Sequence, residues 1–166
     1  NKAESAKLAL SEIDPSVPVT AVTAWADEAL LATLLMPETI LIDASDNSKT
    51  RHMTNRAARD AHCRLVSASA VRFSFQVTAF DFRDGSSPCY DCFFPEDDET
   101  DVKAAQVGVF GAVTGMAGNA AAEEALKMAA GIPGLVNKLL IVDTLSMKFD
   151  IIALTADPTC PVCGGK

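Results

Sequence analysis

The chain has no apolar run approaching the roughly 18 to 20 residues that a bilayer-spanning helix needs; Gly, Ser, Glu or Lys interrupts each one, so no membrane span is expected. Positive charge is scarce. Fourteen Lys and Arg stand against 22 Asp and Glu, a net charge of −8, which repels phosphate backbones and argues against nucleic-acid binding, a zinc-ribbon module of that kind included. Neither a GxGxxG nor a GxxxxGK[ST] loop occurs, so the main phosphate cradle of any nucleotide site is expected outside these residues. No Ser-His-Asp or Cys-His arrangement can be argued from local spacing, which leaves hydrolase chemistry without support. His52 and His62 are too far apart for an i, i+4 metal pair, and both read as surface residues. The chain opens Asn1-Lys2-Ala3-Glu4 with no charged-then-apolar leader, so no secretory signal is expected and the sequence reads like one entered partway through.

What is present supports one globular domain: 49% hydrophobic and 22% charged residues over 166 positions are enough to bury a core. Residues 3–13 are rich in helix formers and stop at Asp14-Pro15, where proline disfavours helical geometry in the residue before it. Residues 17–24 are β-branched and short, and residues 27–35 resume helix formers until Pro37. The compact apolar run at 39–44, TILIDA, does not alternate, the pattern of a strand covered on both faces of a parallel sheet. A helix over 48–61 and a short strand over 64–70 follow. This alternation predicts an α/β layered fold with right-handed crossovers.

From Val71 the period becomes two. Val71, Phe73, Phe75, Val77 and Ala79 fall on one face of a half-buried antiparallel strand that Asp84-Gly85 turns. Residues 94–101 are acidic and lack apolar anchors, which predicts a solvated, weakly ordered crossover loop. The longest helix is expected over 106–130, where Gly108, Gly111, Gly115 and Gly118 would let another backbone approach its first half. Gly131-Ile132-Pro133-Gly134 breaks it, and residues 138–144 and 148–154 read as a closing hairpin.

Four of the five cysteines form two CxxC pairs, Cys89/Cys92 and Cys160/Cys163, each beside proline and turn residues. Two such knuckles can complete a closed tetrahedral Zn²⁺ shell that staples rather than catalyses; two unrelated pairs or disulfides are the alternative. Cys63 is left over and reads as a small buried hydrophobe. The other polar cluster is Asp43-Ala44-Ser45-Asp46-Asn47, with Arg51 beyond it, at the carboxyl end of the apolar strand. Ligands of open α/β sheets bind at such strand ends. Asp46 suits Mg²⁺, which takes one or two carboxylates and leaves its other positions to water and phosphate; Asp46 or Asn47 would equally serve as a helix cap. Lys2 alone reads as a solvated residue, and Trp25 with the Phe73/Phe75 stripe as core or interface.

Taken together, KAESA at 2–6, LIDASDN at 41–47, Thr50-Arg51, RLVSASAVRFSFQVTAF at 64–80, PCYDCFFP at 88–95, GVFGAVTGMAGNAAAEEALK at 108–127 and CPVCGG at 160–165 resemble the ThiF/MoeB/HesA family, bacterial relatives of the ubiquitin-activating enzymes. The resemblance runs through essentially the whole chain, in order, and corresponds to the family's later two-thirds. It implies an incomplete Rossmann-like, ubiquitin-activating-enzyme-like α/β fold with a mixed sheet, antiparallel C-terminal strands and a structural zinc knuckle. Residues 1–166 would be the C-terminal part of a single adenylyltransferase domain, with nucleotide-side units at 1–70 and the strands, crossover loop, glycine-lined helix and zinc site at 71–166.

The activity it implies is ATP-dependent adenylation of the C-terminal glycine of a ubiquitin-like sulfur-carrier protein ending in Gly-Gly, in the cytoplasm, by a homodimer. Lys2 resembles the lysine that contacts ATP phosphate, Asp46 the Mg²⁺-linked aspartate and Asn47 its nucleotide-site neighbour, while Arg51 orders their loop. Cys89, Cys92, Cys160 and Cys163 match the structural zinc ligands. Members that bind the carrier covalently place a cysteine in the crossover loop where this chain has Ala104, so adenylation alone is expected. The alternative is a non-catalytic carrier-binding module or a fragment, which the missing phosphate loop favours.

Overall fold

The computed structural model describes residues 1–94, 96 and 107–164. The expectations for the acidic crossover loop beyond Phe94 and Glu96, and for Ala104, lie outside them. Helix α1 spans Lys2–Ile13 and α2 spans Glu28–Leu34, the latter capped by the Asp27 carboxylate, which accepts from Leu30 N. Strand β1, Ile40–Asp43, leads through α3, Ser48–Asp60, to β2, Arg64–Val71. β1 and β2 pair in parallel, Ile40 opposite Arg64, which requires such a crossover. Strands β3, Ser74–Asp81, β4, Lys138–Asp143, and β5, Lys148–Ala153, then add antiparallel in the order β1-β2-β3-β4-β5. The mixed sheet with antiparallel C-terminal strands is thus as expected.

Helix α4, Gly111–Ala130, covers one face of the sheet. Its Val113, Ala117, Ala121 and Met128 recur at helical spacing and pack on Val66, Ala68, Phe75, Val77 and Val142. The opposite face carries Leu65, Phe80, Phe82, Leu139 and Leu154 against Ala58 of α3 and the segment around Cys89 and Tyr90. β3 is therefore buried on both faces where its sequence alternation predicted one, because this second layer covers Thr78 and Phe80. Cys63 is fully buried as expected, and burial pushes its thiol up.

Further expectations are corrected. The period-two run from Val71 spans a turn: Val71 ends β2, Ser74 opposite it opens β3, and Arg72 between them has φ 51°. Arg72 N–H donates to the Gly108 carbonyl, and its own carbonyl accepts from Phe110 N–H. This clamp holds 108–110 outside helical geometry, so α4 begins at Gly111 rather than 106. β1 is not covered on both faces; Ile42 is 47% exposed at the edge of the sheet. Within this chain, among the described residues, no backbone approaches Gly108 or the α4 glycines Gly111, Gly115 and Gly118: a Cβ at each would meet nothing within 4 Å. Trp25 is 93% exposed and belongs to no core.

Gly131 ends α4 in the left-handed region, φ 68°, with Ile132 N–H returning to the Lys127 carbonyl. Gly131→Ala is expected to cost about 1 kcal/mol, because a Cβ is strained there; the shift of a urea midpoint at unchanged slope measures it.

Candidate functional site

Asp43 ends β1 buried, and its carboxylate accepts from Thr54 Oγ1 at 2.7 Å and from Ser45 N at 2.8 Å. The chain then turns into α3, where Asn47 Oδ1 accepts from Thr50 N at 2.9 Å and Thr50 Oγ1 at 2.8 Å. Asn47, then, is the helix cap. This releases Asp46 from that duty: it is exposed, and its carboxylate meets only Asn47 Nδ2, at 3.4 Å, among the described residues. Arg51 Nη2 donates to the Ser45 carbonyl at 2.8 Å and so ties the loop back to α3. Ser45 Oγ and Arg51 Nε are buried without a hydrogen-bond partner among the described residues, which leaves polar capacity at this loop.

Asp46 stands on the wall of two cavities. One, of about 630 Å³, lies between the carboxyl ends of β1 and β2 and the first half of α4, reaching Ala68, Ser69, Thr114 and Gly118. The other, of about 830 Å³, lies on the far side of the loop and reaches Trp25, Lys49, Met53 and Arg56. A carboxylate placed so, outside the strand ends and open to solvent, can hold a hydrated divalent cation against a charged ligand. Lys2 is not brought to this place. It lies on α1, which buries none of its residues and packs on no other helix or strand among the described residues, and it lines neither cavity.

The four paired cysteines do meet. Cys89 precedes a 3₁₀ turn, Tyr90–Cys92, and Cys160 and Cys163 lie in a turn closed by Gly164 N–H on the Cys160 carbonyl. Their sulfurs all lie within 4.8 Å of one another, with Cys89–Cys92 at 3.9 Å, Cys89–Cys160 at 3.6 Å and Cys92–Cys163 at 3.3 Å. Zn–S bonds of about 2.3 Å in a tetrahedron set sulfurs about 3.8 Å apart, so the cluster can hold a metal such as zinc. Burial and the adjacent thiols push Cys89 up, and the same causes push Cys163 up to about 12. Burial opposes ionisation of Cys160 too, but backbone N–H groups of Cys163 and Val162 outweigh it and hold that thiol low. Cys160 is favoured as a thiolate while Cys89 and Cys163 resist, a situation that a dication resolves by displacing protons.

One group escaped the sequence reading. His52, expected at the surface, is 2% exposed. Its Nδ1 lies 3.0 Å from Asp91 Oδ1, and Asn55 Nδ2 donates to Asp91 Oδ2 at 2.6 Å. Asn55 Oδ1 accepts in turn from Tyr90 N at 3.0 Å. The available signal was His52, Asn55 and Ala58 at i, i+3 spacing on one face of α3, together with an acid between two cysteines. His62 is exposed, as expected.

A family model described as the ThiF family matches residues 1–162. The molybdopterin-synthase adenylyltransferase of Escherichia coli K12 is 35% identical over 98% of this chain and 66% of its own length. The SAMP-activating enzyme E1 of Haloferax volcanii is 35% identical over 98% of this chain and 60% of its own length. The chain therefore spans somewhat less than two thirds of these relatives. Among solved structures, E. coli MccB superposes with a TM-score of 0.80 at 19% identity over 100% of this chain and 50% of that one, a likeness of fold.

Proposed function

Because the chain belongs to the ThiF family, we propose that it forms the greater part of an adenylyltransferase acting with ATP on the C-terminal glycine of a ubiquitin-like sulfur carrier of the ThiS/MoaD kind. Relatives named for molybdopterin synthase and for SAMP activation support that substrate class. The observation that carries the reading is Asp46, exposed at the tip of a sheet strand and shared by two cavities. Mg²⁺ held there would neutralise triphosphate charge. A carrier carboxylate oxygen attacks the α-phosphorus and pyrophosphate leaves, a reaction that asks the protein chiefly for position and charge.

This chain's residues supply position. Thr54 anchors Asp43, Asn47 caps α3, and Arg51 pins Ser45, so the Asp46 carboxylate is presented on a fixed loop. Lys2 is assigned the phosphate contact on family resemblance, and in this structure α1 holds it outside both cavities. Cys89, Cys92, Cys160 and Cys163 would hold Zn²⁺ as a staple in the cytoplasm, where such thiols stay reduced. The enzyme works as a homodimer and, with Ala104 in the crossover segment, without a covalent cysteine step.

The test is exchange of labelled pyrophosphate into ATP by the full-length protein with a carrier ending in Gly-Gly. Carrier-dependent exchange is the expected result; carrier binding without exchange would establish a non-catalytic module instead. Arg51→Ala is expected to lower exchange about 10- to 100-fold by loosening the loop, with little change in the thermal midpoint. Unaltered exchange would remove Arg51 from the site.

A further inference from the structure

Two neighbouring edges of α3 are bonded to two different parts of the protein. Arg51 and Thr54 hold the loop after β1, through the Ser45 carbonyl and the Asp43 carboxylate. His52 and Asn55, the next residue in each case, both end on Asp91. Asp91 sits between Cys89 and Cys92 in the 3₁₀ turn, buried, with each carboxylate oxygen engaged by α3. Arg56 Nη1, 3.8 Å away, adds a cation beside it. Asn55 also holds Tyr90 N, so the turn bearing two of the four thiols is joined to the helix through both backbone and side chain. A helix is stiff over one turn, so displacement at positions 52 and 55 is carried to 51 and 54.

We propose that Asp91 is a positioning residue through which a metal ion in the four-cysteine cluster orders the loop bearing Asp46. Metal ligation fixes the 89–92 turn, Asp91 fixes α3, and α3 fixes residues 43–47. The cage is then more than a fastening of the scaffold: its occupancy is coupled to the nucleotide site. The kinetic consequence rests on the reading of Asp46 given above; the structural coupling does not. Coupling of two sites is reciprocal, so a ligand bound at Asp46 must tighten the hold on the metal by the same factor.

The experiment uses full-length, zinc-loaded protein and the variant Asp91→Asn, in which one of the two α3 donors loses its acceptor. With zinc retained, hydrogen exchange of residues 43–55 is expected to quicken about tenfold in the variant while β4 and β5 stay as in the wild type. Transfer of zinc to a chromogenic chelator should slow about fivefold on adding MgATP in the wild type, and not in Asp91→Asn. The KM for MgATP should rise about tenfold with kcat within about twofold. Wild-type exchange across 43–55 in the zinc-loaded variant overturns the proposal, as does equal quickening in β4 and β5, which would signal only a general loss of stability. Should Asp91→Asn not retain zinc, His52→Ala, which leaves the whole 89–92 turn intact, is read by the same criteria. If the wild type exchanges pyrophosphate normally yet its zinc transfer ignores MgATP, the coupling of the two sites is overturned; no pyrophosphate exchange at all would defeat the nucleotide assignment of Asp46 while the hydrogen-exchange measurement still decides the role of Asp91.

Discussion

Cys160→Ser is expected to strip the protein of nearly all its bound metal and to lower its thermal midpoint by about 10–15 °C. Cys160 is buried, with its sulfur 3.6 Å from that of Cys89, and a serine oxygen is a hard ligand that a soft thiolate site does not accept well. The stake is large because the cluster joins the chain's last turn to the segment that seals one face of the sheet, where Tyr90, Leu154 and Phe82 pack together. Structural zinc sites in small peptides contribute about 10–16 kcal/mol. In a domain with its own core only part of that reaches stability, about 4 kcal/mol, and each kcal/mol is worth about 2–4 °C at this chain length. Elemental analysis and melting curves decide the matter. One metal ion per chain and an unshifted melt in Cys160→Ser would end the assignment of these four thiols to a metal.

Asp46→Ala should abolish pyrophosphate exchange, a loss of more than about a thousandfold, comparable to removing a principal charge-stabilising group. It should do so without harming the fold. Asp46 is exposed and not used as a cap, so stability should stay within about 0.5 kcal/mol. Asp43→Ala is the instructive contrast: that carboxylate is buried under Thr54 Oγ1 and Ser45 N, and its removal should cost about 2–3 kcal/mol by orphaning both donors. Parallel kinetics and urea titrations separate the two neighbouring acids. Normal exchange in Asp46→Ala would remove Asp46 from the nucleotide site.

Much of this architecture was legible from local pattern. The unbroken run at Ile40–Asp43, the helix-forming stretch after it and the apolar strand at Arg64–Val71 announced a parallel pair, because a short apolar strand and its crossover helix each leave a distinct pattern. The paired thiols were legible from spacing alone, whereas spacing left Asp46 and Asn47 both open as the helix cap, and the contact of Asn47 with Thr50 separates them. What escaped depended on contacts between distant residues. Arg72 adopts φ 51° because Gly108 and Phe110 clamp it, and an alternating pattern passes through a two-residue turn without a mark. His52 is buried because Asp91 lies across from it, and no property of a histidine in a polar helix reveals a partner so far along the chain. Exposure of Ile42 was equally invisible, since it depends on what adjoins the sheet edge.

The bare flank of α4 carries a thermodynamic signature. Glycine is about 1 kcal/mol worse than alanine inside a helix, and among the described residues nothing stands within 4 Å of a Cβ at Gly111, Gly115 or Gly118 to require the smaller residue. Judged by this fold alone, the sequence forgoes a few kcal/mol of helix stability for no return. The sign of an alanine scan along that flank therefore reads out its surroundings in the working molecule: stabilisation if methyl groups project into water, destabilisation if another surface already occupies the space they would fill.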